Sequence, residues 1–186
     1  MTKRITISTL DAMKASGDKF VMITAYDATF ARLASEAGAE TILVGDSLGM
    51  VLQGHETTIP VSLDAMVYHT ECVARAKPRS LIVADLPFMS FSNPDDALHA
   101  STQLMQAGAQ MVKLEGGTWL SDSINRLVER GVPVCAHLGL TPQSVNVFGG
   151  YRVQGRTPKA AKSILADAVE IQDAGASLLV LECIPA

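Results

Sequence analysis

Aromatic residues are scarce in this chain: they make up 5% of it, with a single tryptophan. An aromatic-rich β architecture is therefore not expected. Cysteine is equally sparse. Cys72, Cys135 and Cys183 are odd in number, widely spaced and free of any Cys-x-x-Cys pair. That pattern supports neither a disulfide framework nor a zinc ribbon, and buried free thiols in a reducing cytoplasm are expected. No apolar run reaches the roughly 18 residues of a membrane span, so none is expected. The stretch from Met1 to Asp11 also lacks the apolar core of a signal peptide. Basic residues number 15 against 19 acids, a net charge of −4. A general nucleic-acid surface needs concentrated Lys and Arg, so none is expected. The small cluster Arg75, Lys77 and Arg79 reads as cations at a helix C-terminus. Gly-x-Gly-x-x-Gly and Walker-type loops are missing, which leaves nucleotide-phosphate binding without motif support.

What is present is a 186-residue chain, 48% hydrophobic and 18% charged, suited to one sizeable core and one domain over 1–186. Short apolar runs end in acids. Thr41-Ile-Leu-Val-Gly-Asp46 is followed by Ser47. Ser80-Leu-Ile-Val-Ala-Asp85, Met111-Val-Lys-Leu-Glu115 and Ser177-Leu-Leu-Val-Leu-Glu182 repeat the grammar. Each reads as a buried parallel strand delivering a carboxylate to one end of a sheet, where α/β proteins place their chemistry. Two more strands are expected over Phe20–Tyr26 and Val132–Leu138.

Between the strands, helices are expected with recognisable caps. Ser8 begins a short helix to Ser16, Asp27 one to Ala37, Ser62 one ending before Pro78, and Asn93 one ending at Gly108. Thr118 starts the next, stopping near Gly131, and Thr157-Pro158 begins the last, closed by Gly175. The repeated junctions Glu36-Ala-Gly-Ala39, Gln106-Ala-Gly-Ala109 and Asp173-Ala-Gly-Ala176 mark left-handed helix ends. The loops over 47–61 and 139–156 are much longer than these turns, the asymmetry of a (β/α)8 barrel with one functional face. Six strand–helix units are visible where a closed barrel needs eight. The alternatives are an open α/β sheet or a barrel without its last two units.

Asp46, Asp85 and Glu115 offer hard oxygen ligands that suit Mg²⁺. The competing reading of each is a helix cap or a partner for a lysine. Lys113 lies two residues before Glu115 and shares its strand face. It is either a clamp for a substrate carboxylate or half of a structural ion pair. His137 is either a substrate hydrogen-bond donor or a satisfied core histidine. Glu182 is either a general base with its pKa raised by burial or a salt-bridge partner. His69 and Cys72, at i and i+3, lack a second ligand pair; His99 reads as a helix-surface residue and Trp119 as a packing residue.

The motifs Val44-Gly-Asp-Ser-Leu-Gly49, Gln53-Gly-His55, Ala84-Asp-Leu-Pro-Phe-Met89, Lys113-Leu-Glu-Gly-Gly117, His137-Leu-Gly-Leu-Thr-Pro-Gln143 and Leu181-Glu-Cys183 closely resemble the ketopantoate hydroxymethyltransferase family, in matching order over nearly the whole chain. The resemblance implies a (β/α)8 TIM barrel of the phosphoenolpyruvate/pyruvate superfamily. It implies Mg²⁺, 5,10-methylenetetrahydrofolate as co-substrate, a cytoplasmic role in pantothenate synthesis, and a homo-oligomer, a decamer or octamer. Carried over, Asp46, Asp85 and Glu115 form the metal group. Asp46, Ser47, Asp85 and Lys113 hold 3-methyl-2-oxobutanoate, with His137 beside them, and Glu182 accepts its C3 proton. The products are 2-dehydropantoate and tetrahydrofolate, formed through a Mg²⁺-stabilised enolate. Family members are longer, so a barrel with only its first six units is expected here, its apolar outer strands unpaired and the span poorly active alone. The alternatives are a Mg²⁺-dependent C–C lyase or mutase of the same superfamily, or a non-catalytic fragment. A lyase calls for a reactive cysteine on a mobile loop, and no cysteine is expected in a loop.

Overall fold

The structure, a computed structural model, describes residues 4–185. The first three residues of the Met1–Asp11 stretch, read as lacking the apolar core of a signal peptide, lie outside that span, as does Ala186. Among the described residues no helix is long and apolar enough to cross a membrane.

Six strands form one parallel sheet in sequential order: β1 (Met22–Thr24), β2 (Thr41–Val44), β3 (Leu81–Asp85), β4 (Met111–Glu115), β5 (Val134–Gly139) and β6 (Leu178–Glu182). A doubly wound sheet reverses strand order at a switch point. This one never does, so it is the arc of a (β/α) barrel and not the open sheet held as an alternative. The helices are α1 (Ile7–Ser16), α2 (Ala28–Glu36), α3 (Leu48–Val51), α4 (Leu63–Arg75), α5 (Pro94–Gln106), α6 (Ser121–Glu129), α7 (Val145–Phe148) and α8 (Pro158–Asp173). Four expected caps hold. Asp27 accepts from the Thr29 and Phe30 amides, Asn93 from Asp95 and Asp96, Ser62 from Ala65, and Thr157 from Ala160. The first helix starts earlier than expected. Thr6, not Ser8, is its cap, and Thr6 and Thr9 exchange reciprocal side-chain bonds. Thr118 opens a 3-10 turn (Thr118–Leu120) that leads into α6.

Strand alternation sorts the interior into two layers. Ile42, Val44, Ile82, Ala84, Val112, Leu114, Val134 and Ala136 face outward and pack beneath the helices. Leu43, Leu81, Val83, Met111, Cys135, Leu178 and Val180 face the barrel axis, where Ile5 and Leu10 join them. The inward rows continue as Val83–Asp85, Met111–Lys113–Glu115, Cys135–His137 and Val180–Glu182. Apolar residues thus fill the lower barrel and titratable ones its C-terminal mouth, as in (β/α) barrel enzymes. At the two edges of the arc, Val21, Ile23, Leu179 and Leu181 are exposed.

Candidate active site

Register builds the site. Pairing sets Asp85 beside Lys113 across β3 and β4, and Glu115 beside His137 across β4 and β5. The Lys113 ammonium lies 2.8 Å from Asp85 Oδ1 and 3.8 Å from Glu115 Oε1. It also lies 3.2 Å from His137 Nδ1. Asp46, just beyond β2, donates its backbone N–H to Asp85 Oδ2 at 3.1 Å. Asp46, Asp85, Glu115, Lys113 and His137 are all buried. The structure therefore brings these five expected residues into one cluster. Ser47, half-buried, shares a 2.9 Å hydrogen bond with the Tyr26 hydroxyl.

The charges do not balance. Three carboxylates face one ammonium, and the protonation preferences record the deficit. Burial, then repulsion from Asp85 and Glu115, pushes the Asp46 carboxyl up to about 7. Burial also raises Asp85, although Lys113 opposes it. Burial works against the Lys113 ammonium, but Asp85, Glu115 and Asp46 outweigh it and hold the lysine charged. Burial would raise Glu115 too, yet bonding to His137 and the charge of Lys113 bring it below its ordinary value. His137 is raised: burial opposes its charge, and contacts with Glu115 and Glu182 prevail.

Of the buried side-chain polar atoms that lack a well-aligned hydrogen bond, two belong to this cluster, Asp85 Oδ1 and His137 Nε2. The first is close to Lys113 Nζ but misaligned; the second faces Glu182 Oε2 at 3.4 Å. Both lie in the cluster, where an incoming ligand can complete them. The donor set, all oxygen and short of positive charge, fits a hard divalent cation. Among the described residues no group of three His, Cys, Asp or Glu is already drawn together as a metal cage. Part of the reason is that Lys113 lies against Asp85, and a glutamine engages Asp46.

That glutamine is a residue the sequence reading did not single out. Gln143 is buried in the loop after β5. Its Nε2 donates to Asp46 Oδ2 at 2.8 Å and to the Leu86 carbonyl at 2.9 Å, while its backbone N–H donates to Glu115 Oε2 at 3.0 Å. One residue thus ties together acids from two strands. Tyr26, at the end of β1, was missed as well. A polar residue at a strand end was the only available signal for Tyr26, and a Thr-Pro turn start the only one for Gln143.

Several expectations need correcting. Glu182 is not a buried base: its side chain is 41% exposed. Cys183 is neither buried nor in a strand. It is exposed in the bend after β6, and Cys72 is only half-buried; Cys135 alone of the three is buried. Trp119, expected to be a packing residue, stacks on Phe91 yet remains 62% exposed. His69, already weak as a metal candidate for want of a second ligand pair, has its Nδ1 2.8 Å from the Tyr26 carbonyl. His99 is on a helix surface, as expected.

Comparison with known proteins gives a consistent picture. The ketopantoate hydroxymethyltransferase family profile matches residues 4–186. The chain is 61% identical over 181 residues to 3-methyl-2-oxobutanoate hydroxymethyltransferase of Burkholderia vietnamiensis, covering 97% of this chain and 67% of that one. It is 60% identical over 182 residues to the enzyme of the same description from Marinobacter nauticus, covering 98% and 69%. Among solved structures it resembles 2,3-dimethylmalate lyase, a PEP mutase/isocitrate lyase superfamily member, with a TM-score of 0.68 at 18% identity. A phosphonopyruvate hydrolase complex with oxalate and Mg²⁺ gives a TM-score of 0.72 at 16% identity. The chain spans 95% of its own length in both matches and 62% of each of those structures. These two likenesses establish the fold.

Proposed function

The chain belongs to the ketopantoate hydroxymethyltransferase family, and from that premise we propose that its barrel mouth transfers a hydroxymethyl group from 5,10-methylenetetrahydrofolate to 3-methyl-2-oxobutanoate. The products are 2-dehydropantoate and tetrahydrofolate, within pantothenate synthesis. One C3–H bond and the two C–N bonds of the donor methylene break, one C3–CH₂OH bond forms, and water supplies the hydroxyl oxygen. The C3 proton and one water proton balance the two freed folate nitrogens. The observation that carries this reading is the buried ammonium of Lys113, within 4 Å of Asp85, Glu115 and His137 at the C-terminal mouth. A cation kept charged in a barrel interior is suited to an anionic substrate.

Asp46, Asp85 and Glu115 are the residues that would hold Mg²⁺. Bound there, it would serve as a Lewis acid toward the 2-oxo acid. The protein's own groups do the rest. Lys113 and Ser47 receive the substrate carboxylate, with Tyr26 fixing the Ser47 hydroxyl. His137, raised in pKa, presents Nε2 to the site and steadies Glu182 across 3.4 Å. Gln143 sets the direction of the Asp46 and Glu115 carboxylates. Glu182 takes the C3 proton; its partial exposure lets that proton pass on to solvent. The same premise extends to one barrel domain working as a cytoplasmic homo-oligomer, and to no nucleic-acid or membrane partner.

The test is exchange of the substrate's C3 proton with D₂O, followed by NMR. Glu182→Gln is expected to bind the keto acid but to exchange roughly 10²–10⁴-fold more slowly. Exchange at the parent rate would remove Glu182 from the base role. No exchange in the unaltered protein would overturn the reaction itself.

A further inference from the structure

Beside the carboxylate–lysine cluster lies a cavity of about 700 Å³ with no part in the chemistry above. It is walled by the turn after β4, the end of β5 with its loop, and the first half of α8. Gly116 and Gly117 follow Glu115 directly, and Leu138 and Gly139 follow His137. The cavity and the cluster therefore share two strand ends. Its volume falls within the roughly 300–1,000 Å³ of small-molecule sites.

The walls have a specific chemistry. Trp119 contributes its indole, stacked on Phe91 at a centroid distance of 6.1 Å and 16° between planes, yet 62% exposed. A large apolar ring left open at a cavity wall is a stacking platform awaiting a partner. Asp167 reaches in from α8. Its Oδ1 accepts from the Thr118 amide at 2.8 Å and the Thr118 hydroxyl at 2.7 Å. Among the described residues no donor meets its Oδ2. The backbone is cut back to admit both groups. A Cβ on Gly117 would come within 2.4 Å of the Asp167 carboxylate, and one on Gly116 within 2.6 Å of the Trp119 ring. Lys159 adds a cation to the same lining.

We propose that this cavity seats the one-carbon donor, a flat heteroaromatic ring with an N–H-bearing edge and an anionic tail. The ring lies against Trp119, its N–H edge meets the free oxygen of Asp167, and the tail runs toward Lys159. This rests on the hydroxymethyl-transfer reading, which needs a donor methylene brought to a keto acid held at Lys113. A ligand seated here approaches over the ends of β4 and β5, the strands that carry Lys113, Glu115 and His137. An apolar peptide would fill the volume but leave the Asp167 oxygen and Lys159 without partners.

Trp119 is the chain's sole tryptophan, so its fluorescence reports on the cavity directly. The full chain, with Mg²⁺ and 3-methyl-2-oxobutanoate present, is titrated with tetrahydrofolate. Saturable quenching is expected, with Kd raised roughly tenfold or more in Asp167→Asn, since a hydrogen bond to a charged group is lost. Asn retains an acceptor for Thr118. Ser163→Phe, at an exposed position on the cavity wall, fills the space without touching those bonds and should weaken binding at least as much. An unchanged Kd in both variants, or no quenching in the unaltered protein, would overturn the cavity assignment. Proton exchange at C3 needs no donor, so its absence in the unaltered protein would instead overturn the transfer reading beneath it.

Discussion

Replacing Asp46 with Asn probes the charge deficit of the site most directly. In the folded protein the Asp46 carboxyl is pushed from 3.8 up to about 7, first by burial and then by Asp85 and Glu115. A folded pKa above the unfolded one means that the native state binds the proton more tightly. The resulting stabilisation is complete below about pH 3.8 and is lost as pH rises through about 7. A shift of about three pKa units at about 1.4 kcal/mol each is worth about 4 kcal/mol. Asp85 and His137 are raised as well and act in the same direction. Glu115 is lowered, so its stabilisation is lost only as pH falls below its ordinary value of 4.5. Without divalent cations, the parent is therefore expected to lose stability from pH 5 to pH 8. Asp46→Asn carries no charge to desolvate, and its amide oxygen can still accept from Gln143. It should lose much less, and at pH 8 should be the more stable of the two by up to about 4 kcal/mol. Mg²⁺ should reverse that order by stabilising the parent selectively. Urea unfolding in EDTA and in Mg²⁺ at the two pH values measures all of this. A parent as stable in EDTA at pH 8 as at pH 5, or a variant with the same pH slope, would refute the argument.

Lys113→Met removes the cation that lies 2.8 Å from Asp85 Oδ1 and leaves the buried acids uncompensated. The expected cost is about 3–5 kcal/mol at neutral pH, shrinking as acid protonates the carboxyls. Keto-acid binding should be lost, and a variant as stable as the parent at pH 7 would show that the pair is not needed for the fold. Gln143→Leu deprives Asp46 and the Leu86 carbonyl of their donor but keeps the backbone bond to Glu115. A loss of about 1–3 kcal/mol is expected, together with a changed Mg²⁺ half-saturation for proton exchange. Unchanged half-saturation would reduce Gln143 to a structural role.

The parts of the fold and site that could be read in advance are those fixed by local periodicity. A strand repeats every second residue, so Lys113 and Glu115 had to share a face, and the apolar runs around them made that face the interior. Aligned strand ends then placed Asp85 and His137 at the same height. Period gives direction but no partner. That Lys113 pairs with Asp85, and not with Glu115 alone, follows from the register of β3 against β4. Register is a property of the assembled sheet. The same limit explains Gln143. Thr141-Pro142 announces a turn, but the turn's value lies in bringing an amide to Asp46 across 97 positions of sequence. It explains Glu182 too. Its place after Leu178 and Val180 gave the inward direction correctly, whereas burial depends on what packs beside β6, and the edge of the arc leaves that carboxylate partly open. The first helix erred differently, because Thr6 and Ser8 both fit a capping pattern. The reciprocal bonds of Thr6 and Thr9 decide the start, and they bring Ile5 and Leu10 under the barrel axis. A local signal with two equivalent solutions was thus resolved by a long-range contact. The site shows the same division, since its charges were legible from strand phase and its partners arise only when the sheet assembles.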